Sequence, residues 1–451
     1  MFAIIDHLHD HPEIIRKLSL ICRSLVPTTR RYGFRRITIR SWHHLESLLR
    51  LCESNLETLT HANVKEVAFL NLHALYNGWP SKKFVKMFGG SIHTLRMEGN
   101  GYEWERAPRE AMGAMLSEFG GLVKRLEIAH FHFASRTSLA RVFRSFEGLQ
   151  SLETAECFLT DWGAQNRDPE QIDMTQITEL TLDVNNDRLY PNMLDNCSFR
   201  ALKSLRVRSS HLMKNYMTFH LGDTQIKRIL REAGENLHEL DVDVKFVKKS
   251  HAGITAQDVV RLQERYIIEA LNLAKNTNLR RLRLAIRFGD NNLFENPTNY
   301  LLPILEHLAG TAGQGLHALD LSYVILEHPE MDWNALDEIL QHPFFSELKE
   351  VRCGGVVCCF SERDCVNGDY SRPSETSEPG RRARDAIEML KLHLPRCKER
   401  GVLLSVGVTY RLLSLFTPVE ITRKQVGSKK RKKLEFALKV WKWGKGKLAS
   451  L

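Results

Sequence analysis

Leu237-His238-Glu239-Leu240-Asp241-Val242 is the six-residue phrase on which the reading of this chain turns. Apolar anchors stand at its first, fourth and sixth positions. The last two alternate with polar residues, as in a short strand with one buried face. Clean copies follow at Leu279/Leu282/Leu284 and Leu316/Leu319/Leu321, and precede it at Leu202/Leu205/Val207 and Ile177/Leu180/Leu182. Further toward the N-terminus stand Val123/Leu126/Ile128, Ile92/Leu95/Met97 and Val64/Val67/Phe69. Leu149/Leu152 keeps two anchors and places Thr154 at the third. Leu348/Val351/Cys353 is a softened copy, and Phe34/Ile37/Ile39 is the first. Successive first anchors lie between 25 and 42 residues apart.

A strand phrase recurring at this interval has the pattern of an irregular leucine-rich repeat. One unit cannot bury its apolar face, whereas stacked neighbours bury it between them. The expected fold class is therefore α/β. It is an irregular leucine-rich-repeat solenoid over residues 34–408, with a curved parallel sheet and outer helices, preceded by a short helical module over residues 1–33. Helices are expected at Arg109–Phe119, Thr137–Phe146, Thr224–Ala233, Ala256–Ala274, Tyr300–Ala309 and Trp333–His342, where apolar residues recur three and four apart. Gly148, Gly234 and Gly310 suit left-handed helix stops. A polar loop is expected over residues 371–384, then a helix at Asp385–Cys397 and a last strand at Leu403–Val408.

Composition bounds the function. A chain of 451 residues exceeds one compact core, and 43% apolar residues exclude disorder throughout. The nine cysteines have no regular spacing, and the first twenty residues carry no secretory pattern, so an intracellular protein with reduced thiols is expected. No window approaches eighteen apolar residues, so no transmembrane segment is expected. Of 64 Lys and Arg against 54 Asp and Glu, eleven and two fall in the tail Thr417–Leu451. The tail, set apart as a basic and flexible segment over residues 409–451, thus carries nearly all of the net charge of +10. The body is close to neutral and is not expected to bind nucleic acid through bulk charge.

The stretch IIDHLHDHPEIIRKLSLICRSLVPTTRRYGFRRITI, from Ile4 to Ile39, resembles the F-box-like N-terminus of fungal F-box proteins with leucine-rich repeats. In that family a small helical module docks on the Skp-type adaptor of a cullin ubiquitin ligase, and the repeats present a protein substrate. Carried over by position, Ile4, Ile5, Leu8, Leu18, Leu20, Ile21 and Leu25 are implied to be module core or adaptor contacts. Two departures stand out: the chain begins at Met1-Phe2, inside the first helix, and Leu25 stands where the family favours Trp. The module is accordingly expected to be truncated. Leu18, Ile21 and Leu25 would equally serve a helical cap over the exposed end of the first repeat. The resemblance implies a substrate-recruiting subunit of a ubiquitin ligase; a stand-alone interaction scaffold is the alternative.

Residues beside the strand anchors point to the face opposite the core. They include Glu179 and Asp183; Arg206 and Arg208; Glu239, Asp241 and Asp243; Arg281 and Arg283; Asp320; and Arg352. Their sign alternates strand by strand. Such a face is either a self-neutralising ladder or a banded docking surface for a protein substrate. No catalytic constellation is expected. There is no P-loop and no nucleophile elbow. His7, His9 and His11 alternate and do not share a helix face. Cys353, Cys358, Cys359 and Cys365 lack metal-ligand spacing and read as buried thiols. No metal or other cofactor is therefore expected. In the tail, Ser428–Lys433 reads as a nuclear import signal, as a solvated run, or, with Phe436, Val440, Trp441 and Trp443, as an amphipathic surface helix. Cytoplasmic or nuclear location follows.

Overall fold

Each of the eleven anchor phrases becomes a strand. The computed structural model describes residues 34–53, 64–70, 91–103, 116–117, 119–159, 174–183, 197–208, 222–246, 271–288, 298–311, 315–321, 331–360, 365–366, 369–373 and 378–412, together with Thr29 and Ile268. The phrases form β1 (Arg36–Ile39), β2 (Glu66–Phe69), β3 (Thr94–Glu103), β4 (Arg125–Phe133) and β5 (Ser151–Ala155). After the two-residue β6 (Phe158–Leu159) come β7 (Glu179–Asp183), β8 (Ser204–Arg208), β9 (Glu239–Phe246), β10 (Arg281–Phe288), β11 (Ala318–Leu321) and β12 (Glu350–Phe360). Apart from β6, which pairs with β4, each lies beside the next in chain order. From β1 to β12 the pairing is parallel throughout.

The register follows from the anchors. The second anchors stand directly opposite one another in an unbroken row: Ile37, Val67, Leu95, Leu126, Leu152, Leu180, Leu205, Leu240, Leu282, Leu319 and Val351. All of them are buried. A slip of one residue would turn a whole strand's anchors toward solvent, so burial pins the pairing. Thr154, the polar third anchor of β5, is buried and donates its hydroxyl to the Thr181 carbonyl of the next strand at 3.5 Å. That bond offsets the cost of a hydroxyl in the core.

The helices cover the anchor side of the sheet. Leu139, Val142 and Phe143 of the Arg136–Arg144 helix and Ile229 and Leu230 of the Gly222–Ala233 helix join the strand anchors in one core. So do Leu305 and Leu308 of the Thr298–Thr311 helix and Leu336 of the Trp333–Ile339 helix. These are four of the expected helices, with ends moved by at most three residues. Arg109–Phe119 and Ala256–Ala274 fall largely outside the described residues. A further helix, Trp42–Glu53, follows β1 and buries Leu45 and Leu48.

Several expectations are corrected. Of the three glycines, only Gly234 is left-handed, with φ 52°. Gly310 lies inside a helix that runs on to Thr311. The stretch expected as a loop over residues 371–384 contains the end of β14 (Asp369–Pro373) and the start of the Glu378–His393 helix. The single helix expected at Asp385–Cys397 is divided: Pro395 starts a new helix, Pro395–Glu399, and Leu394 before it leaves the helical region at φ −121°, ψ 60°. Proline disfavours helical geometry in the residue that precedes it. Beyond that, β15 (Leu403–Leu412) is longer than expected and takes its place beside β12, tied by Leu403 N–H to the Lys349 carbonyl at 2.8 Å.

The chain divides into two compact units, Met1–Val356 with Ala383–Thr409, and Val357–Arg382 with Tyr410–Leu451. The first holds the anchor ladder. In the second, β13 (Cys365–Val366) pairs antiparallel with β14. Among the described residues no helix is long and apolar enough to cross a membrane.

Candidate binding face

Between the second and third anchors of each strand lies one residue on the open face. In register these residues read Arg96, Glu127, Glu153, Thr181, Arg206, Asp241, Arg283, Asp320 and Arg352 from β3 to β12. Parallel strands bring such neighbours to about 4.8 Å spacing, close enough for side chains to pair across strands. They do so. Asp241 Oδ2 accepts from Arg206 Nε at 2.8 Å and from Arg283 Nη1 at 3.2 Å. Arg283 Nε lies 3.7 Å from Asp320 Oδ2. Two residues earlier on the same strands, Arg281 meets Glu239 at 3.6 Å.

The carboxylates sit lower than the guanidinium groups. Asp241 and Asp320 side chains are 15% and 24% exposed, against 38% for both Arg206 and Arg283. Asp241 Oδ1 is buried and makes no hydrogen bond among the described residues. A depression of about 240 Å³ opens here, lined by Arg206, Asp241, Arg283, Asp320, Glu350 and Arg352. A molecule arriving at β8–β12 therefore meets arginine tips held from beneath by acids. Arginine suits this use, because its planar fork stays charged and presents several donors.

At β3–β7 the balance is acidic. Arg125 meets Glu127 at 2.9 Å, Glu153 at 3.3 Å and Glu179 at 3.8 Å. Partial burial pulls the Arg125 pKa down, but the hydrogen bond to Glu127 and the three carboxylates outweigh it and leave it above the usual arginine value. Arg208 reaches Glu153 at 3.2 Å, although β7 lies between their strands. Thr181, the β7 residue in Glu153's row, is short.

The face residues proposed from the pattern are thus brought together on one sheet, with one exception in accessibility. Asp183 is buried, at 2% exposure, and its Oδ2 accepts the Glu156 backbone N–H at 3.3 Å. Glu156 holds φ 47° and its carboxylate meets His130, at φ 57°, at 2.9 Å. Left-handed backbone is costly for residues with a Cβ, and Asp183 bonds one of these two corners. It serves the turn and not the open face. Asp243 on β9 is partly buried, paired in register with Arg208. The implied adaptor contacts Ile4, Ile5, Leu8, Leu18, Leu20, Ile21 and Leu25 lie outside the described residues, as does the tail run Ser428–Lys433.

One set of surface residues escapes a reading that follows only the anchors. The residue after each first anchor is Arg35, Lys65, His93, Lys124, Gln150, Thr178, Lys203, His238, Arg280, His317 or Lys349. The carbonyl of each except Lys349 accepts two backbone N–H groups from the next unit, as Lys124 does from Gln150 at 2.8 Å and Ser151 at 2.9 Å. The same bond pair recurs from Arg35 to His317, so these strand-start residues form one continuous row. Six are Lys or Arg, three are His and none is acidic. Reading the phrase as anchor-basic-x-anchor would have found them.

The buried thiols do not make a reactive centre. Burial pushes the Cys157, Cys353 and Cys397 thiols up to about 12, so they stay protonated at neutral pH. Comparison with protein-family models and with curated proteins gives no match to this chain.

Proposed function

We propose that the chain is an irregular leucine-rich-repeat solenoid that binds a protein partner through the open face of its sheet. The observation that carries this reading is the unbroken anchor row, which holds Arg206, Asp241, Arg283, Asp320 and Arg352 in register on the face opposite the anchors that the described helices cover. Complementary charge on such a face gives partner selectivity and a fast encounter more than raw affinity. With the F-box-like N-terminus, the solenoid is the substrate-recruiting subunit of a Skp–cullin ubiquitin ligase, and the ubiquitin chemistry belongs to other subunits. The second reading, an interaction scaffold without a ligase, uses the same face and needs no adaptor.

Co-expression of the full chain with a Skp-type adaptor tests the first reading. A stable complex on gel filtration is expected, lost in Ile4→Asp with Leu8→Asp while the melting curve is kept. Failure of the wild type to bind at micromolar concentration, where docking interfaces are visible, leaves the scaffold reading.

A further inference from the structure

The strand-start row is placed to do something the open face does not. Arg35, Lys65, Lys124, Lys203, Arg280 and Lys349 share a single line with three histidines and no carboxylate. Because the paired carbonyl bonds repeat unit by unit, the line crosses eleven strands without a break, about 48 Å along the sheet at about 4.8 Å per strand. Lys124, Lys203 and Lys349 are exposed and make no ion pair among the described residues. Arg280 differs: it donates to the Gly315 carbonyl at 3.0 Å and meets Glu347 at 3.2 Å, beside His317.

The line is also narrow. One residue further along the strands stand Glu66, Glu179, Glu239 and Glu350. A wide polyanion such as a nucleic-acid duplex would meet these carboxylates at the same time as the lysines. A single nucleic-acid strand gains much of its affinity from bases stacked on large aromatic side chains, and the row has no Phe, Tyr or Trp, only His93, His238 and His317. An extended polypeptide is narrow enough to follow one line, and its alternate side chains fall on one side. We propose that the strand-start row is a track for an extended acidic segment of a protein partner. This rests on the protein-binding reading above and names the chemistry of that partner. Lysine, a flexible point charge, tolerates the mismatch between the strand spacing and the peptide's own repeat.

The test uses the full chain and a labelled peptide of alternating glutamate and serine, about fifteen residues long, which spans the row at about 3.3 Å per residue. Saturable binding that weakens with added salt is expected. Reversal of three charges (Lys124→Glu, Lys203→Glu, Lys349→Glu) should weaken it by about tenfold or more, and Lys→Gln at the same sites by a smaller factor. If the reversed variant melts early, the Gln variant decides. Lys227→Glu, at an exposed position of the Gly222–Ala233 helix outside both the row and the open face, should bind the peptide as the wild type does. Unchanged binding in the lysine variants, or loss only when Lys429–Lys433 are neutralised, would overturn the track. So would a DNA duplex or a single strand of equal charge binding as tightly as the peptide. None of these outcomes touches the adaptor experiment, so the two ideas fail separately.

Discussion

Arg206 on β8 donates from Nε to Asp241 Oδ2 on β9 at 2.8 Å, across a single strand spacing. The same oxygen accepts from Arg283 on β10, so one carboxylate holds two arginines of alternate strands. Asp241→Ala would leave those two guanidinium groups without their shared partner. They are more than a third exposed, so solvent screens much of the effect. A loss of about 1 kcal/mol is expected from denaturant unfolding, and a double-mutant cycle with Arg206→Ala should return a coupling of about 0.5–1 kcal/mol. A coupling of zero would mean that the ladder does not position its arginines.

Leu240 sits between Leu205 and Leu282 in the anchor row and is 1% exposed. Leu240→Asp puts a lone carboxylate into an apolar stack, which costs several kcal/mol. The variant should lose the cooperative transition around β8–β10. Leu403, at 63% exposure, is the control. Leu403→Asp should alter stability by no more than about 0.5 kcal/mol. Equal behaviour of the two variants would contradict the burial pattern.

Asp337 is buried and ties the Pro395–Glu399 helix to the Trp333–Ile339 helix. Its carboxylate accepts the Arg396 N–H at 3.1 Å and the Cys397 N–H at 3.3 Å, capping a helix whose own Leu394 offers no side-chain cap. Asp337→Ala strands one buried donor and one part-buried donor and should cost about 2 kcal/mol. Hydrogen exchange at Arg396 and Cys397 should speed up before that of β9 does. Arg400 closes the other end of the clamp, donating to the Leu340 and Phe345 carbonyls at 2.7 and 2.6 Å.

Three of the buried thiols, Cys157, Cys353 and Cys397, make stability fall at alkaline pH. Their folded pKa is about 12, against 9.0 for the free group, because burial disfavours the thiolate. An acid whose pKa is raised by folding keeps its full contribution below the unfolded value and loses it as pH climbs through the folded one. Denaturant midpoints should therefore drop between about pH 9 and 12. Cys157→Ala, Cys353→Ala and Cys397→Ala together should flatten that part of the profile. At pH 8 a thiol reagent should leave these three residues unlabelled until the protein is unfolded.

The spacing of Leu240 from Leu237 and Val242 carries much of the fold within it. Burial of alternate residues makes a strand, and burial of the same three anchors in every copy sets parallel neighbours in register. The open face was legible for the same reason, since residues between anchors must point away from the core. Pro395 was visible as a helix divider, but a window of apolar residues drawn across it concealed the break. Only the stacked structure decided which charges meet. Arg208 reaches Glu153 across β7, and Asp183 turns inward to a left-handed corner at Glu156. Partners of that kind depend on side-chain length and backbone corners that no single repeat contains. The strand-start row is the clearest case. Lys124 and Lys203 are separated by long connecting segments, and stacking alone lays them on one line, because each carbonyl in the row must accept the N–H groups of the next unit.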